Sequence, residues 1–337
     1  MDEFTKALKK LGADCKLVNE IEFAKPFPSR KIRDWFGKDK KLESLLEEFK
    51  PDAVFLDRQA SVCKCIIEAE IPVFVFLRGQ YWSEVEWAKK TLYKDPIMKK
   101  VVNMRYEIAQ ECFSKSTAVL PICKYLENVV LKYHPKQNTH VLMEGIHSSK
   151  WYKTKGMELK HPCVGLVQNS EWWGKSKEML ILKDVMKSMP EVTFYWAGGG
   201  PFEDRILREL NECKNFQFLG RLEYPDSVRD FLSEIDVYAL ISGMDLGPRT
   251  INEAQLMEKP IVASNVGGIG EIMKDNETGF LVEEGNAKDL QEKLEILLND
   301  EDVAKKMGIA GKKRAEEFFN WEKIAQEFLD IVKIYVK

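Results

Sequence analysis

Short apolar runs alternate with amphipathic stretches of helical length along the whole chain. Runs such as Val73–Phe76 are rich in β-branched and aromatic residues, as buried strands are. Stretches such as Lys40–Phe49 and Lys99–Phe113 instead repeat their apolar residues at helical spacing. This alternation is typical of parallel sheets covered by helices. The sequence therefore predicts an α/β protein with two such sheets.

Eleven runs are predicted as strands, five in a first sheet and six in a second. The first five are Cys15–Val18, Ala53–Leu56, Val73–Phe76, Ala118–Pro121 and Val141–Met143. The other six are Val164–Val167, Thr193–Ala197, Phe216–Leu219, Val237–Ile241, Ile261–Ala263 and Phe280–Val282. Between strands, a helix is predicted behind a Ser176 cap and before Pro190, with one buried face. That face consists of Met179, Leu182, Met186 and Met189.

The segment from Gly145 to Pro162 is polar, rich in lysine and without periodicity, so it is predicted to link two domains. We place the boundary near residue 148, with a first domain at 1–148 and a second at 149–320. A chain of 337 residues is long enough for two domains. Ligands of open α/β sheets bind at the carboxyl ends of the strands. The two sheets are therefore expected to face a central cleft.

Composition narrows the class of protein. With 45% hydrophobic and 31% charged residues, the chain is expected to fold as a soluble protein. No apolar run approaches the roughly 20 residues of a membrane-spanning helix, and Met1–Leu11 lacks the apolar stretch of a signal peptide. The seven cysteines form no CxxC pair, which favours a reducing, cytoplasmic location. The four histidines show no ligand spacing, so no metal site is predicted.

Charge is unevenly distributed, although the net charge is only −3. Residues 1–150 carry 26 Lys and Arg against 21 Asp and Glu, whereas residues 151–337 carry 25 against 33. The basic half could meet an anionic surface, or the asymmetry could be ordinary surface variation. Aromatic and basic residues interleave in it at Trp82, Trp87, Lys89, Lys90, Tyr93, Lys94, Lys99 and Lys100. They form either a contact for anionic lipid or a solvated helix face over core aromatics. No nucleic-acid partner is expected.

The segment Asp236–Glu271 carries the clearest candidate chemistry. Its strand is followed by a loop with Asp245, and a helix is predicted from Arg249. The N–H groups of Gly247 and residues 249–251 would then be free donors at a helix N-terminus, where a diphosphate can bind. Glu253, one turn further in, could accept hydrogen bonds from a ribose diol. Asp245 could hold sugar hydroxyls or stabilise charge at an anomeric carbon.

These residues resemble the retaining glycosyltransferases of family 4, which have the GT-B fold. That family has two acids separated by seven residues, here Asp245 and Glu253, followed by a Pro-Val/Ile-Val-Ala strand, here Pro260–Ala263, and a glycine loop, here Gly267–Glu271. The resemblance covers most of residues 160–337 and is weaker in residues 1–150. Further matches are Ala197–Pro201, Phe218–Arg221, Ser233–Val237, Thr278–Val282 and Trp321.

The resemblance implies transfer of a sugar from a nucleotide-diphosphate sugar, such as a UDP- or GDP-sugar, to a glycan or lipid-linked acceptor. The configuration at the anomeric carbon would be retained, with no metal and no cofactor besides the donor. Asp245 would touch the transferred sugar and Glu253 the ribose. Residues 321–337 would form a helix crossing back to the first domain. Donor-binding residues would be Lys175, Gly199, Gly247, Arg249, Thr250, Gly267, Gly268 and Glu271, and Arg78 would contact the acceptor or an anion.

The chain departs from the family pattern in three places. Leu166 stands where the family has an Arg, and Lys175 is taken as the replacement for its diphosphate-binding Lys. The family's opening strand and Gly-rich loop have no counterpart, because the chain starts on a helical pattern. Arg78 follows the third strand, where a His is common. These departures leave two alternatives open, a catalytically silent nucleotide-binding or partner protein and a nucleotide-sugar epimerase.

Overall fold

The computed structural model describes residues 1–24 and 40–336. The chain divides into two compact units, unit 1 with Met1–Glu144 and Trp321–Lys337, and unit 2 with Gly145–Asn320. Residues 25–39 of the predicted first domain, and Lys337 of the predicted last helix, lie outside the described residues. The predicted linker, 145–162, contains one short 3₁₀ turn, Ser148–Lys150.

Unit 1 contains a parallel sheet of three described strands in the order β1-β2-β3. The strands are β1 (Val54–Asp57), β2 (Val73–Leu77) and β3 (Ala118–Pro121). The described helices of this unit are α1 (Asp2–Lys10), α2 (Glu20–Phe23), α3 (Lys40–Phe49), α4 (Cys63–Glu68), α5 (Tyr81–Thr91), α6 (Pro96–Lys115), α7 (Lys124–Tyr133) and, from the end of the chain, α16 (Trp321–Tyr335).

Aromatic packing attaches the last helix to unit 1. The ring of Phe328 on α16 lies 5.5 Å from that of Phe4 on α1, 5.1 Å from Phe55 on β1 and 5.6 Å from Phe74 on β2. Aromatic pairs at these separations stabilise the fold by more than the burial of their apolar area alone. The helix therefore completes the core of unit 1, although the whole of unit 2 precedes it in the sequence.

The predicted strand Cys15–Val18 is wrong, because this stretch forms no strand. A strand needs a buried face, but Leu17 is 53% exposed and Lys16 is also exposed. The run follows α1 closely, and the Cys15 thiol donates a hydrogen bond to the Thr5 carbonyl 3.5 Å away. Its apolar residues are too few and too exposed to pair with a sheet.

The predicted strand Val141–Met143 is also wrong, although the chain runs beside β3 there. The N–H of His140 donates to Val119 O (3.2 Å), and that of Leu142 donates to Pro121 O (2.9 Å). Pro121 has no N–H with which to continue the pattern, so the ladder ends. A proline in the neighbouring strand thus prevents a strand that the apolar pattern predicted.

Unit 2 contains a six-stranded parallel sheet in the order β6-β5-β4-β7-β8-β9. All six predicted strands are present, each within one residue at either end. The strands are β4 (Cys163–Val167), β5 (Thr193–Ala197), β6 (Phe216–Gly220), β7 (Val237–Leu240), β8 (Ile261–Ser264) and β9 (Phe280–Val282). The helices are α8 (Trp173–Ser176), α9 (Leu182–Ser188), α10 (Glu203–Leu210), α11 (Asp226–Glu234), α12 (Arg249–Leu256), α13 (Ile269–Ile272), α14 (Ala287–Asn299) and α15 (Glu301–Phe318).

The helix predicted behind Ser176 is interrupted. Helix α8 already ends there, a 3₁₀ segment spans Lys177–Ile181, and α9 follows. Ser176 makes no capping bond, because the helical turn starts before it and its own N–H donates to Trp172 O (2.9 Å). The predicted apolar face is nevertheless in the core, with Met179 and Met186 fully buried. Spacing therefore predicted the buried face correctly but not the helix start.

Candidate active site

Three loops of unit 2 meet at the carboxyl ends of neighbouring strands. They follow β4, β7 and β8, which lie side by side in the sheet. The N–H of Gly243 after β7 donates to Lys175 O (2.9 Å), so the first two loops are joined. The N–H of Gly268 after β8 donates to Asp245 O (2.9 Å), which joins the second and third. Predicted site residues that are far apart in sequence thus lie together.

Lys175 and Asp245 form an ion pair in this group of loops. The Asp245 side chain is only 11% exposed and the Lys175 side chain 29%. Asp245 Oδ1 also accepts the N–H of Leu246 at 3.0 Å. A carboxylate that is largely removed from water needs such partners to stay charged. The residue predicted to touch the sugar and the one predicted to touch the diphosphate are therefore direct neighbours.

Gly267 allows the loop after β8 to approach Asp245. Its φ is +57°, in the left-handed region, and a Cβ there would lie 1.9 Å from Asp245 O. Any side chain would overlap that carbonyl and strain the backbone. Glycine is therefore required for the turn that holds the Asp245 loop in place.

Glu253 lies on α12 and is only 2% exposed. Its Oε1 accepts a hydrogen bond from the hydroxyl of Tyr224 at 3.1 Å, and Arg249 Nη2 donates to that hydroxyl at 3.0 Å. Burial of the ring, together with the charge of Glu253, raises the pKa of Tyr224 to about 12. The phenol therefore stays neutral at physiological pH and can donate to the carboxylate. Tyr224 was missed in the sequence, since an isolated tyrosine before a proline carries no motif.

Other predicted donor-binding residues surround α12. Arg249 is its exposed first residue, Thr250 next to it is half-buried, and Gly247 is half-buried in the preceding loop. One expected free donor is not free, because the N–H of Ile251 donates to Pro248 O at 3.1 Å. The helix N-terminus therefore offers fewer donors than the sequence predicted.

Gly199 lies at the carboxyl end of β5, beside β4 in the sheet. Its carbonyl accepts the N–H of Ser170 at 2.9 Å, which ties this turn to the loop after β4. A Cβ at Gly199 would lie 2.9 Å from Arg221 Nε and 2.9 Å from Glu203 Oε2. Gly199 is therefore closely surrounded at the same edge of the sheet.

Glu271 lies on the short helix α13, and Arg314 hydrogen-bonds to the backbone of this helix. The guanidinium of Arg314 donates to Glu271 O and to Ile272 O, both at 2.7 Å. Burial lowers the pKa of Arg314 from its ordinary value. Since Arg314 comes from α15, far along the chain, the sequence motif did not include it. It is a positioning residue for the Gly267–Glu271 loop.

Arg78 lies in unit 1. It follows β2, and its guanidinium pairs with Asp57 Oδ2 at 2.8 Å and Glu144 Oε1 at 3.1 Å. Its positive charge is thus balanced by two carboxylates within the unit. Its role as an acceptor or anion contact stays a prediction.

The interleaved aromatic and basic residues of unit 1 differ in their exposure to solvent. Trp82 is in the core at 3% exposure, with its ring stacked 4.5 Å from that of Tyr133. The residues around the α5–α6 turn are exposed instead, including Ile97 at 74% and Met98 at 39%. Among the described helices, none is both long and apolar enough to cross a membrane.

Comparison with known proteins supports the resemblance seen in the sequence. Residues 175–314 match the model of the family described as glycosyl transferases group 1. For this segment, the predicted resemblance to the group 1 glycosyltransferases is confirmed. The segment that matches this group 1 family contains Lys175, Asp245, Glu253 and the Gly267–Glu271 loop.

Individual relatives agree with the match to the group 1 family. An uncharacterized glycosyltransferase of Methanocaldococcus jannaschii is 27% identical over 71% of the chain and 64% of its own length. The alpha-maltose-1-phosphate synthase of Mycolicibacterium smegmatis is 27% identical over 64% of the chain and 62% of its own length. The chain thus spans a little over three fifths of each of these two relatives.

A solved structure supports the fold predicted for the chain. HepE of Anabaena, crystallised with UDP and glucose, superposes with a TM-score of 0.68 at 17% identity, over 88% of this chain and 82% of its own. The predicted fold class is therefore confirmed as GT-B, with parallel α/β sheets in two domains.

Proposed function

We propose that the protein transfers a sugar from a nucleoside-diphosphate sugar to an acceptor hydroxyl. The observation that carries this proposal is that two acids and two cations lie at the carboxyl ends of the strands of unit 2. Asp245 pairs with Lys175, and Glu253 shares the Tyr224 hydroxyl with Arg249. The relative from Methanocaldococcus jannaschii is named a glycosyltransferase, and the structurally similar HepE was crystallised with UDP and glucose. Both facts support a nucleotide-sugar donor.

Each charged group has a role in this proposal. Glu253 accepts hydrogen bonds from the ribose hydroxyls, which the buried carboxylate can do while it keeps the Tyr224 contact. Lys175 and Arg249 stabilise the negative charge that develops on the leaving diphosphate. Asp245, released from Lys175 by the diphosphate, contacts the transferred sugar. The Gly267–Glu271 loop lies against Asp245 and confines that sugar.

We further propose that the anomeric configuration is retained and that a glycan or lipid-linked molecule is the acceptor. No acid in this group is assigned as a nucleophile. Instead, the leaving phosphate oxygen takes the proton of the acceptor hydroxyl as the new glycosidic bond forms and the sugar–phosphate bond breaks. This step leaves free nucleoside diphosphate and needs no metal.

The test is transfer itself. The purified chain is incubated with UDP-glucose, GDP-mannose, ADP-glucose and other nucleotide sugars, each with pooled glycan and lipid-linked acceptors. Nucleoside diphosphate is expected to be released only when an acceptor is present. From an α-linked donor, NMR is expected to show an α-linked product. A β-linked product from that donor would contradict retention. Interconversion of the donor sugar without an acceptor would instead indicate an epimerase.

A silent nucleotide-binding protein is the main alternative, and the departure at Leu166 favours it. Leu166 is fully buried on β4, so no cation comes from this position. Nucleotide binding with no turnover over the acceptor set would support this reading. Turnover with one acceptor would exclude it.

We propose in addition that unit 1 contacts anionic lipid at the cytoplasmic face of a membrane through the α5–α6 turn. Leu92, Ile97 and Met98 are exposed there, and Lys94, Lys99 and Lys100 surround them. Exposed apolar side chains within a lysine cluster suit an anionic bilayer surface. Sedimentation with vesicles that contain phosphatidylserine, but not with pure phosphatidylcholine vesicles, is expected. Equal sedimentation of an Ile97→Ser, Lys99→Ser double variant would contradict this contact.

A further inference from the structure

A second cluster of side chains lies at the other end of the unit 2 sheet, where strands begin. His161 precedes β4, Cys163 is its first residue, and Asp236 directly precedes the neighbouring β7. His161 Nδ1 lies 2.8 Å from Asp236 Oδ2 and 3.7 Å from Cys163 Sγ. All three atoms lie within 4.8 Å of one another. In the part of the chain that the structure describes, this is the one such group of three.

These three donors suit a tetrahedral zinc ion. Nitrogen, sulfur and oxygen bonds of about 2.0–2.3 Å place neighbouring donor atoms about 3.3–3.6 Å apart. The separation of 3.7 Å between Cys163 Sγ and His161 Nδ1 is close to this value. The contact between Nδ1 and Asp236 Oδ2 has to open by about half an ångström, as expected when an ion replaces a shared proton. A mixed thiolate, imidazole and carboxylate set favours zinc over calcium or magnesium.

Glu234 provides a second, independent observation. Its Oε1 lies 3.0 Å from His161 Nε2, on the opposite side of the ring from the cluster. A histidine that binds a metal through one nitrogen almost always donates its other N–H to a carboxylate or carbonyl. Such a bond fixes the tautomer in which Nε2 carries the proton and Nδ1 offers its lone pair. Glu234 is thus placed to orient His161 toward the cluster.

Access to solvent also fits an ion with one open position. The side chains of His161 and Asp236 are 40% and 39% exposed, whereas Cys163 is fully buried. A water molecule can therefore reach the exposed side and complete four ligands. The N–H of Cys163 donates to Asp236 Oδ2 at 2.7 Å and keeps the two strand ends together.

We propose that His161, Cys163 and Asp236 bind zinc, with water as the fourth ligand and Glu234 orienting His161. On binding, the Cys163 S–H bond breaks, a sulfur–zinc bond forms, and the proton passes to solvent. The ion fastens the last residues of segment 145–162 to the start of β7. The spacing of residues along the sequence did not predict this site, because Asp236 lies far from His161 and Cys163 in the chain.

Cobalt substitution tests the proposal on the full chain. Protein freed of metal with a chelator is titrated with Co²⁺ alone. One equivalent is expected to give visible bands of a tetrahedral ion and a near-ultraviolet thiolate-to-cobalt charge-transfer band, both removed by one equivalent of Zn²⁺. The charge-transfer band is expected to be absent in Cys163→Ser and unchanged in the matched variant Cys213→Ser. A band that persists in Cys163→Ser, or no stoichiometric binding, would overturn the proposal.

A second variant covers the case in which Cys163→Ser does not fold. Glu234→Gln keeps all three ligands and removes only the orienting carboxylate, so the Co²⁺ spectrum is expected to remain. Its zinc affinity, measured by competition with a chromophoric chelator, is expected to fall about 10- to 100-fold. Affinity equal to that of the native protein would contradict the arrangement. None of these measurements depends on glycosyl transfer.

Discussion

The two units arrange their charged groups differently at the carboxyl ends of their strands. In unit 2, Asp245 pairs with one lysine, and Glu253 contacts a tyrosine that an arginine also contacts. In unit 1, one arginine, Arg78, lies between two carboxylates. A diphosphate needs to displace only the Asp245 carboxylate in order to pair with Lys175. An anion at Arg78 has to compete with two carboxylates that are already paired with it. The comparison favours unit 2 for the proposed nucleotide, and the role of Arg78 as an acceptor or anion contact stays a prediction.

Replacement of Asp245 tests the unit 2 side of this comparison most strongly. We expect Asp245→Asn to lower kcat about 10²- to 10³-fold, as loss of a group that stabilises the transition state does. Its KM for the donor should change much less. Asp204→Asn, an exposed acid on α10, is the matched control and should keep full activity. Steady-state kinetics of nucleotide release measure both. Equal kcat in the two variants would remove Asp245 from the mechanism.

Replacement of Glu253 should weaken the binding of nucleotide, which is measurable without any turnover. Glu253→Gln keeps the volume of the buried side chain but removes its charge. Hydrogen bonds to a charged group contribute about 1.5–3 kcal/mol, so the Kd for nucleotide should rise about 10- to 150-fold. The control is Glu292→Gln, on the exposed face of α14. Circular dichroism has to show that the variant is folded, and unchanged affinity in a folded variant would refute the ribose contact.

Two glycines of unit 2 separate backbone strain from close contact. Gly267 and Gly285 both have positive φ, at +57° and +77°, but a Cβ would overlap Asp245 O only at Gly267 and would meet no atom within 4 Å at Gly285. Gly285→Ala should lower the free energy of unfolding by about 1–2 kcal/mol through strain alone. Gly267→Ala should cost about 1–3 kcal/mol more, because the Asp245 loop has to move. Urea unfolding measures both, and equal losses would contradict the packing described.

Arg78 is expected to give the smallest effect on the nucleotide. Arg78→Met should leave nucleotide affinity within about twofold of the native value, because the ion pairs of Arg78 lie within unit 1 and sites that share no partners do not couple. Its stability should fall, since Asp57 and Glu144 lose their shared partner. A large loss of nucleotide affinity would show that Arg78 belongs to the donor site after all.

The sequence predicted unit 2 better than unit 1 for physical reasons. Four strands of unit 2 (β4, β5, β7 and β8) are nearly continuous apolar runs with almost every residue buried. Such runs are recognised from the sequence without knowledge of their neighbours. In unit 1, Pro121 interrupts pairing beside Val141–Met143, an effect that depends on which strand becomes the neighbour. Apolar pattern alone contains no information about such neighbours.

The candidate site was predicted where its residues are close in sequence and missed where they are not. Asp245, Glu253 and Gly267 belong to one continuous segment. Tyr224 and Arg314 reach it from β6–α11 and from α15, so only the fold brings them to it. The same is true of Asp236 beside Cys163. Long-range partners of this kind require the sheet order, which single-sequence patterns do not determine.

Calorimetric titration of the full chain with UDP, GDP, ADP and CDP tests the central claim most directly, namely that unit 2 holds a nucleoside diphosphate between its acids and cations. One nucleotide is expected to bind with a Kd of about micromolar order, and Glu253→Gln should weaken that binding. Binding of none of the four, or binding that Glu253→Gln leaves unchanged, would contradict the account.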